Sequence, residues 1–316
     1  MLLMKTHKLI FGFYLFALIA IQASDVMAQG SAIAYIHGDV SAQGDIPSGN
    51  QDPFHQMLLT DMGRLGMSDF AALVRSQGHT IEQFLDTSID LTPDFLNRFD
   101  VLIFGLHQAL YPSNERAALA DWLEAGGGMM IYSDSASGGR FSLIRDIGGA
   151  QNTVGQMATN NLIAEYGMQV TVDQANGIFA QTAPSNSSVI GGLTIEGEGV
   201  SPVAISPNDS SIEVLIPYTQ SLPHPDNITI NNPSYAAVAL KTVNQGHIAV
   251  VFDRQPYWNN GDGSDITRRD NTEVLRRLVN FLAQRPIVDT PSPQPPSGDE
   301  DSPLQVLPST ILLIID

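Results

Sequence analysis

Asp100-Val101-Leu102-Ile103-Phe104-Gly105 is the stretch on which the fold turns. Four apolar residues in succession, entered from an aspartate and left through a glycine and His107, suit a strand buried on both faces. That is the environment of a parallel sheet covered by helices. Downstream, Pro112-Ser113-Asn114-Glu115 opens a helix carrying Leu119, Trp122 and Leu123, which Gly126-Gly127-Gly128 stops. Met129-Met130-Ile131-Tyr132 then reads as the next strand and leads into Ser133-Asp134-Ser135. Upstream, Ala32 to Ile36 is a short apolar run ending in His37-Gly38-Asp39. Met57, Leu58, Met62, Leu65, Phe70, Leu73 and Val74 follow at helical spacing, with Gly78 as the C-terminal cap. Thr80 to Leu85 gives a second strand, and Thr92-Pro93 starts a short helix. Strands alternating with helices predict an α/β fold, a mostly parallel flavodoxin-like sheet with helices on both faces.

The rhythm changes after residue 168. Short strands are expected at Val170–Val172, Val189–Ile195, Val203–Ile205 and Ile212–Ile216. Ala236–Leu240 and His247–Phe252 form an antiparallel hairpin, and a last helix from Asn271 to Gln284 turns Val274, Leu275, Leu278, Phe281 and Leu282 inward. Residues 29–285 therefore read as one α/β domain. Residues 286–316 read as a Pro-, Ser- and acid-rich tail with a short apolar end.

The first 28 residues have the plan of a secretory signal. Lys5 and Lys8 precede the apolar run Leu9–Ile21, and Val26-Met27-Ala28 offers a small-x-small cleavage site. The expected address is a bacterial periplasm or exterior, with no membrane span after cleavage. Of 316 residues, 33 are acidic, 15 are basic and none is cysteine, for a net charge of −18. Removing the signal makes it −19, since two lysines and Asp25 leave with it. So acidic a chain lacks the basic face that nucleic acid requires. Without cysteine there are no disulfides, thiolate chemistry, Cys-ligated zinc or iron–sulfur clusters.

Three stretches carry a resemblance. They are Phe99-Asp100-Val101-Leu102-Ile103 before a Pro-started helix, Leu119 to Gly128 as helix and glycine turn, and Gly246 to Asp253 followed by Asp270-Asn271 and Leu275–Leu282. Together they resemble class I glutamine-amidotransferase-like domains, above all their exported branch and the trehalose-utilisation-like relatives. The resemblance implies the fold over residues 30–285. It also implies a cysteine nucleophile on the turn after a central strand, and here that turn is Ser133-Asp134-Ser135-Ala136-Ser137-Gly138-Gly139. Glutamine hydrolysis through a thiolate is excluded in this chain.

In an open parallel sheet ligands gather beyond the carboxyl ends of the strands. The pattern places His37, His107, Ser133, Asp134 and Asp253 there as candidate catalytic groups. Asp39, Ser135, Arg254, Tyr257 and Trp258 join them as candidate ligand-binding groups. Histidines and carboxylates from separate strands suit general acid–base work or a divalent metal, and a serine with both suits acyl transfer. Equally, polar strand ends can simply cap helices. Tyr257 and Trp258 stack on a sugar or a partner if exposed, and are core if buried. Asn259 to Asp265 has oxygen ligands at alternate positions but lacks the glycine and closing glutamate of a calcium loop, and reads as surface loop. His55 and His79 read as surface or capping residues. The Gly138-Gly139 turn has no P-loop lysine, so no cofactor follows from the sequence. The leading expectation is a binding domain for a small neutral ligand, carbohydrate-like, or for an envelope protein. The alternative is a hydrolase or carbohydrate-processing enzyme, with or without a metal.

Overall fold

A computed structural model describes residues 30–38, 58–105, 107, 109–132, 154–171, 177–220, 228–260 and 263–284. The chain divides into two units, Met1–Arg285 and Pro286–Asp316, and every described residue belongs to the first. The signal segment, the tail and the residues Asp39, Ser133, Asp134 and Ser135 lie outside the described residues.

The elements follow in the order β1 (Ala32–His37), α1 (Ser68–Ser76), β2 (Thr80–Leu85), α2 (Pro93–Leu96), β3 (Val101–Gly105), α3 (Ser113–Glu124) and β4 (Gly128–Tyr132). Next come α4 (Val154–Ile163), β5 (Met168–Val170), β6 (Ile178–Thr182), β7 (Thr194–Glu198), β8 (Val203–Ile205) and β9 (Ile212–Pro217). The chain closes with β10 (Ser234–Val243), β11 (Gly246–Val251) and α5 (Asn271–Leu282). Nine strands form one sheet in the order β2-β1-β3-β4-β11-β10-β8-β5, with β9 also on β10. The first five run parallel, and β10 is antiparallel to β11, as the hairpin pattern predicts. Strands β6 and β7 make a separate antiparallel pair.

Every residue of β3 is buried, because its alternate side chains enter two different cores. On one face Ile103, Tyr35, Met130 and Tyr132 pack under Phe70 and Val74 of α1 and Val274, Leu275 and Leu278 of α5. On the other, Leu102, Phe104 and Ile131 pack under Leu119, Trp122 and Leu123 of α3. Each fully buried aliphatic or aromatic side chain contributes about 1.5–3 kcal/mol relative to exposure, so these stripes fix both helix layers. Trp122 is core, as expected from its place in the helical stripe, and its indole N–H reaches the Phe99 carbonyl at 3.3 Å.

Three expectations need correction. Of the helix expected from Met57, Met57 itself lies outside the described residues, and from Leu58 onward the helix begins at Ser68. Residues 58–67 form turns instead, because Asn259 draws the Asp61 and Gly63 carbonyls out of any helical ladder at 3.0 and 2.8 Å. The strand expected at Val189 starts at Thr194, after turns around Pro184 and Gly192. Strand β5 lies at Met168–Val170, and Val172 is outside the described residues. Elements α4 and β6 were not anticipated. The helix hid behind its polar residues, since Gln156 and Asn160 face the edge of β5: Asn160 binds the Val170 N–H at 2.8 Å and its carbonyl at 3.3 Å, and Gln156 binds the same carbonyl at 2.9 Å. A helix side chain thus imitates a neighbouring strand.

Candidate functional site

The strand order 2-1-3-4 reverses direction between β1 and β3, and crevices for ligands form at such a switch point. His37 ends β1 and His107 lies just beyond β3, so both predicted histidines flank the switch. They leave it on opposite faces. His37 stacks on Tyr35 with ring centres 5.7 Å apart, on the α1 and α5 side. His107 packs against Phe104 at 5.2 Å and Tyr111 at 6.3 Å, in the other core.

The tautomer of His37 follows from its neighbour. The Leu59 N–H can only donate, so it fixes Gln83 Oε1 as acceptor at 2.8 Å. Gln83 Nε2 therefore donates to His37 Nε2 at 2.8 Å, which leaves the ring proton on Nδ1. Behind this pair lies a tyrosine cluster. The Tyr35 and Tyr132 hydroxyls are 2.8 Å apart, and both face the Met67 sulfur, at 3.2 and 3.5 Å. The Tyr257 ring stacks on Tyr132 at 4.3 Å. Burial holds all three phenols well above their ordinary range, so they are hydrogen-bonding groups at neutral pH and not phenolate bases. Gly105 is the residue that lets β3 pass them, since a Cβ there would stand 2.1 Å from the Tyr132 hydroxyl.

Tyr257 is wholly buried and Trp258 is 5 % exposed, so the pair is core and offers no stacking surface. Arg254 is buried with them, its guanidinium 5.3 Å from the centre of the Trp258 ring, and burial lowers its pKa to about 9. It keeps its charge at neutral pH.

Asp253 has a structural task. Its carboxylate accepts the Glu198 N–H at 2.8 Å and the Arg254 N–H at 2.7 Å. Asp270 accepts the Thr194 N–H at 2.8 Å, and Asn271 accepts that of Glu196 at 2.8 Å. Three alternate N–H groups on the outer edge of β7 are thus closed by three side chains instead of a strand. Asn271 also donates to the Glu196 and Asp265 carbonyls, at 3.0 and 2.7 Å. The Asp270-Asn271 signal was visible in the sequence only as a helix start. The ends of the adjoining loop are anchored: Asn259, Ser264 and Asp265 are buried while Asn260 is exposed, Gly261 and Asp262 lie outside the described residues, and Asp265 accepts both the N–H and the hydroxyl of Thr267. His79, expected as a surface or capping residue, is half-buried and binds main chain. Its Nδ1 accepts the Ser31 N–H at 3.1 Å, so Nε2 donates to Asn280 at 3.0 Å, joining the start of β1 to α5.

No family model matches the chain, and no curated protein does. Among solved structures, the mmIFT52 N-terminal domain superposes with a TM-score of 0.50 at 13 % identity, covering 80 % of this chain and 97 % of that one. The likeness is one of fold. A cytoplasmic protein of Salmonella typhimurium, STM1381, follows at 0.48 with 12 % identity over 80 % of this chain and 100 % of its own. A ThuA-like protein of Bacteroides uniformis is similar at 0.44 with 12 % identity over 79 % and 89 %.

Among the described residues no three His, Cys, Asp or Glu side chains group to hold a metal. None of the described helices is long and apolar enough to cross a membrane. The described candidate groups divide between two faces and a backbone clamp, and do not converge as nucleophile, base and orienting acid.

His107 carries a pH prediction. Neither ring nitrogen has a hydrogen-bond partner of good geometry among the described residues, and the nearest polar influences are the Asp86 carboxylate and the Ala158 main chain. Burial lowers its pKa, with Asp86 opposing. The unfolded chain therefore takes up a proton that the folded state resists. Stability is complete above the unfolded value near 6.5 and falls as pH drops below it. His107→Phe is expected to flatten the decline of the urea midpoint between pH 7.5 and 5, by up to about 1.4 kcal/mol per pH unit. An unchanged slope would show that His107 does not govern it.

Proposed function

We propose that the protein is an exported, acidic domain of amidotransferase-like fold that acts by binding and does not hydrolyse glutamine. Its ligand is a small neutral molecule, carbohydrate-like, or an envelope partner, received at the carboxyl edge of the sheet beside His37. The supporting observation is the His37–Gln83 pair at the switch point. It sets an imidazole and an amide, hydrogen-bonded to one another, beside buried phenols. Such a lining suits hydroxyl and amide groups, and the net charge of −18 disfavours anions. The absence of cysteine supports the non-glutaminase half of the reading.

The test is thermal unfolding of the full chain in neutral mono- and disaccharides, alone and against His37→Phe. A ligand present at a hundred times its Kd stabilises by about 2.7 kcal/mol. A rise in Tm with at least one sugar, lost in His37→Phe, is the expected result. Release of ammonia from glutamine, or a rise that His37→Phe leaves intact, would defeat the proposal.

A further inference from the structure

Strand β6 has an open edge. The N–H groups of Thr194, Glu196 and Glu198 point away from β6 into their side-chain caps. Their cross-strand partners Thr182, Ala180 and Ile178 are therefore the non-bonded pairs of the ladder, and the backbone polar groups of those three residues point outward. Among the described residues nothing pairs with them. All three are exposed, Ile178 by 55 %. The strand Ile178-Phe179-Ala180-Gln181-Thr182 has neither charge nor proline, the usual guards of a free edge. By contrast, β5 and β7 have their edges closed by Asn160, Asp253, Asp270 and Asn271.

We propose that β6 docks an extended, positively charged peptide of a partner protein, which adds as a third strand beside it. Main-chain bonds give such an addition its affinity, and side chains on alternate positions give its specificity. The sign of the partner follows from charge. The chain carries −18, and Glu198, directly across from Ile178, shares its face of the pair, within reach of a lysine or arginine on the incoming strand. A second copy fits poorly: it brings the same negative excess, and two five-residue strands cover much less than the roughly 1,200 Å² of a stable interface. Addition is confined to the β6 side of the pair, since the far edge of β7 is closed. This surface is independent of the carboxyl-edge site.

The probe is a capped heptapeptide of alternating lysine and valine, with an alternating glutamate–valine peptide as control, titrated into the full chain by fluorescence anisotropy. The lysine peptide is expected to bind, more weakly as salt rises, and the glutamate peptide is not. Ala180→Pro removes an outward N–H and no β6–β7 bond, and is expected to weaken binding at least tenfold with Tm little changed. Ile178→Lys, a surface change that does not depend on how Ala180→Pro folds, is expected to do the same through like charge. Absence of lysine-peptide binding, or binding unaltered in both variants, would overturn the proposal. A dimer in sedimentation that Ile178→Lys dissociates would overturn it in favour of self-pairing.

Discussion

Asn271→Ala is expected to lower the melting temperature by roughly 6–12 °C, a loss of about 3 kcal/mol at 2–4 °C for each. The side chain is fully buried and serves three main-chain groups, the N–H and carbonyl of Glu196 and the carbonyl of Asp265. Ser264 shares the Glu196 carbonyl, but among the described residues no other group replaces Asn271 at the N–H. Alanine strands these groups away from water at about 1–3 kcal/mol apiece. Asn271→Asp retains the acceptor, loses both donations and is expected to be destabilised as well. Calorimetry and urea unfolding check both variants, and a loss under about 1 kcal/mol in the alanine variant would refute the role given to this residue.

Gly105→Ala is expected to cost about 3 kcal/mol, the upper end for overpacking by one methyl. The new Cβ would lie 2.1 Å from the Tyr132 hydroxyl and 2.6 Å from Tyr35 Cε2. Neither ring has slack, because the two hydroxyls bind each other and Tyr132 is stacked on Tyr257. The double variant Gly105→Ala, Tyr132→Phe removes the atom that the methyl meets first. Urea unfolding is expected to show it recovering part of the loss; no recovery would move the strain elsewhere, to the backbone of β3.

The parallel half of the sheet was legible because burial on both faces leaves an unbroken apolar run, as in Val101–Phe104 and Met129–Tyr132. The hairpin of β10 and β11 and the amphipathic helix α5 were legible for the same kind of reason, a clean period. Helix α4 was not, because the amides of Gln156 and Asn160 on its inward side serve the β5 edge, and hydrophobic periodicity does not register such work. At the site, position was legible and role was not. Strand ends predicted where His37, His107 and Asp253 lie. Which face each ring takes depends on the packing around it, and that Asp253 clamps β7 depends on a contact spanning 55 residues of sequence. Tyr257 and Trp258 were open to either reading, and the packing around Tyr132 decided it.

The place of β11 governs the order of assembly. Among the described strands it is the last to be synthesised, yet it sits between β4 and β10, in the middle of the sheet. Until His247 reaches Gly128, the parallel strands and the antiparallel strands are two fragments, each exposing a raw inner margin. The caps on β7 come later still, from Asp253, Asp270 and Asn271. Closure therefore waits for the C-terminal part of the described domain, and its rate is set by contacts distant in sequence, which form slowly. The domain therefore reaches its folded form only once nearly all of its described residues are available.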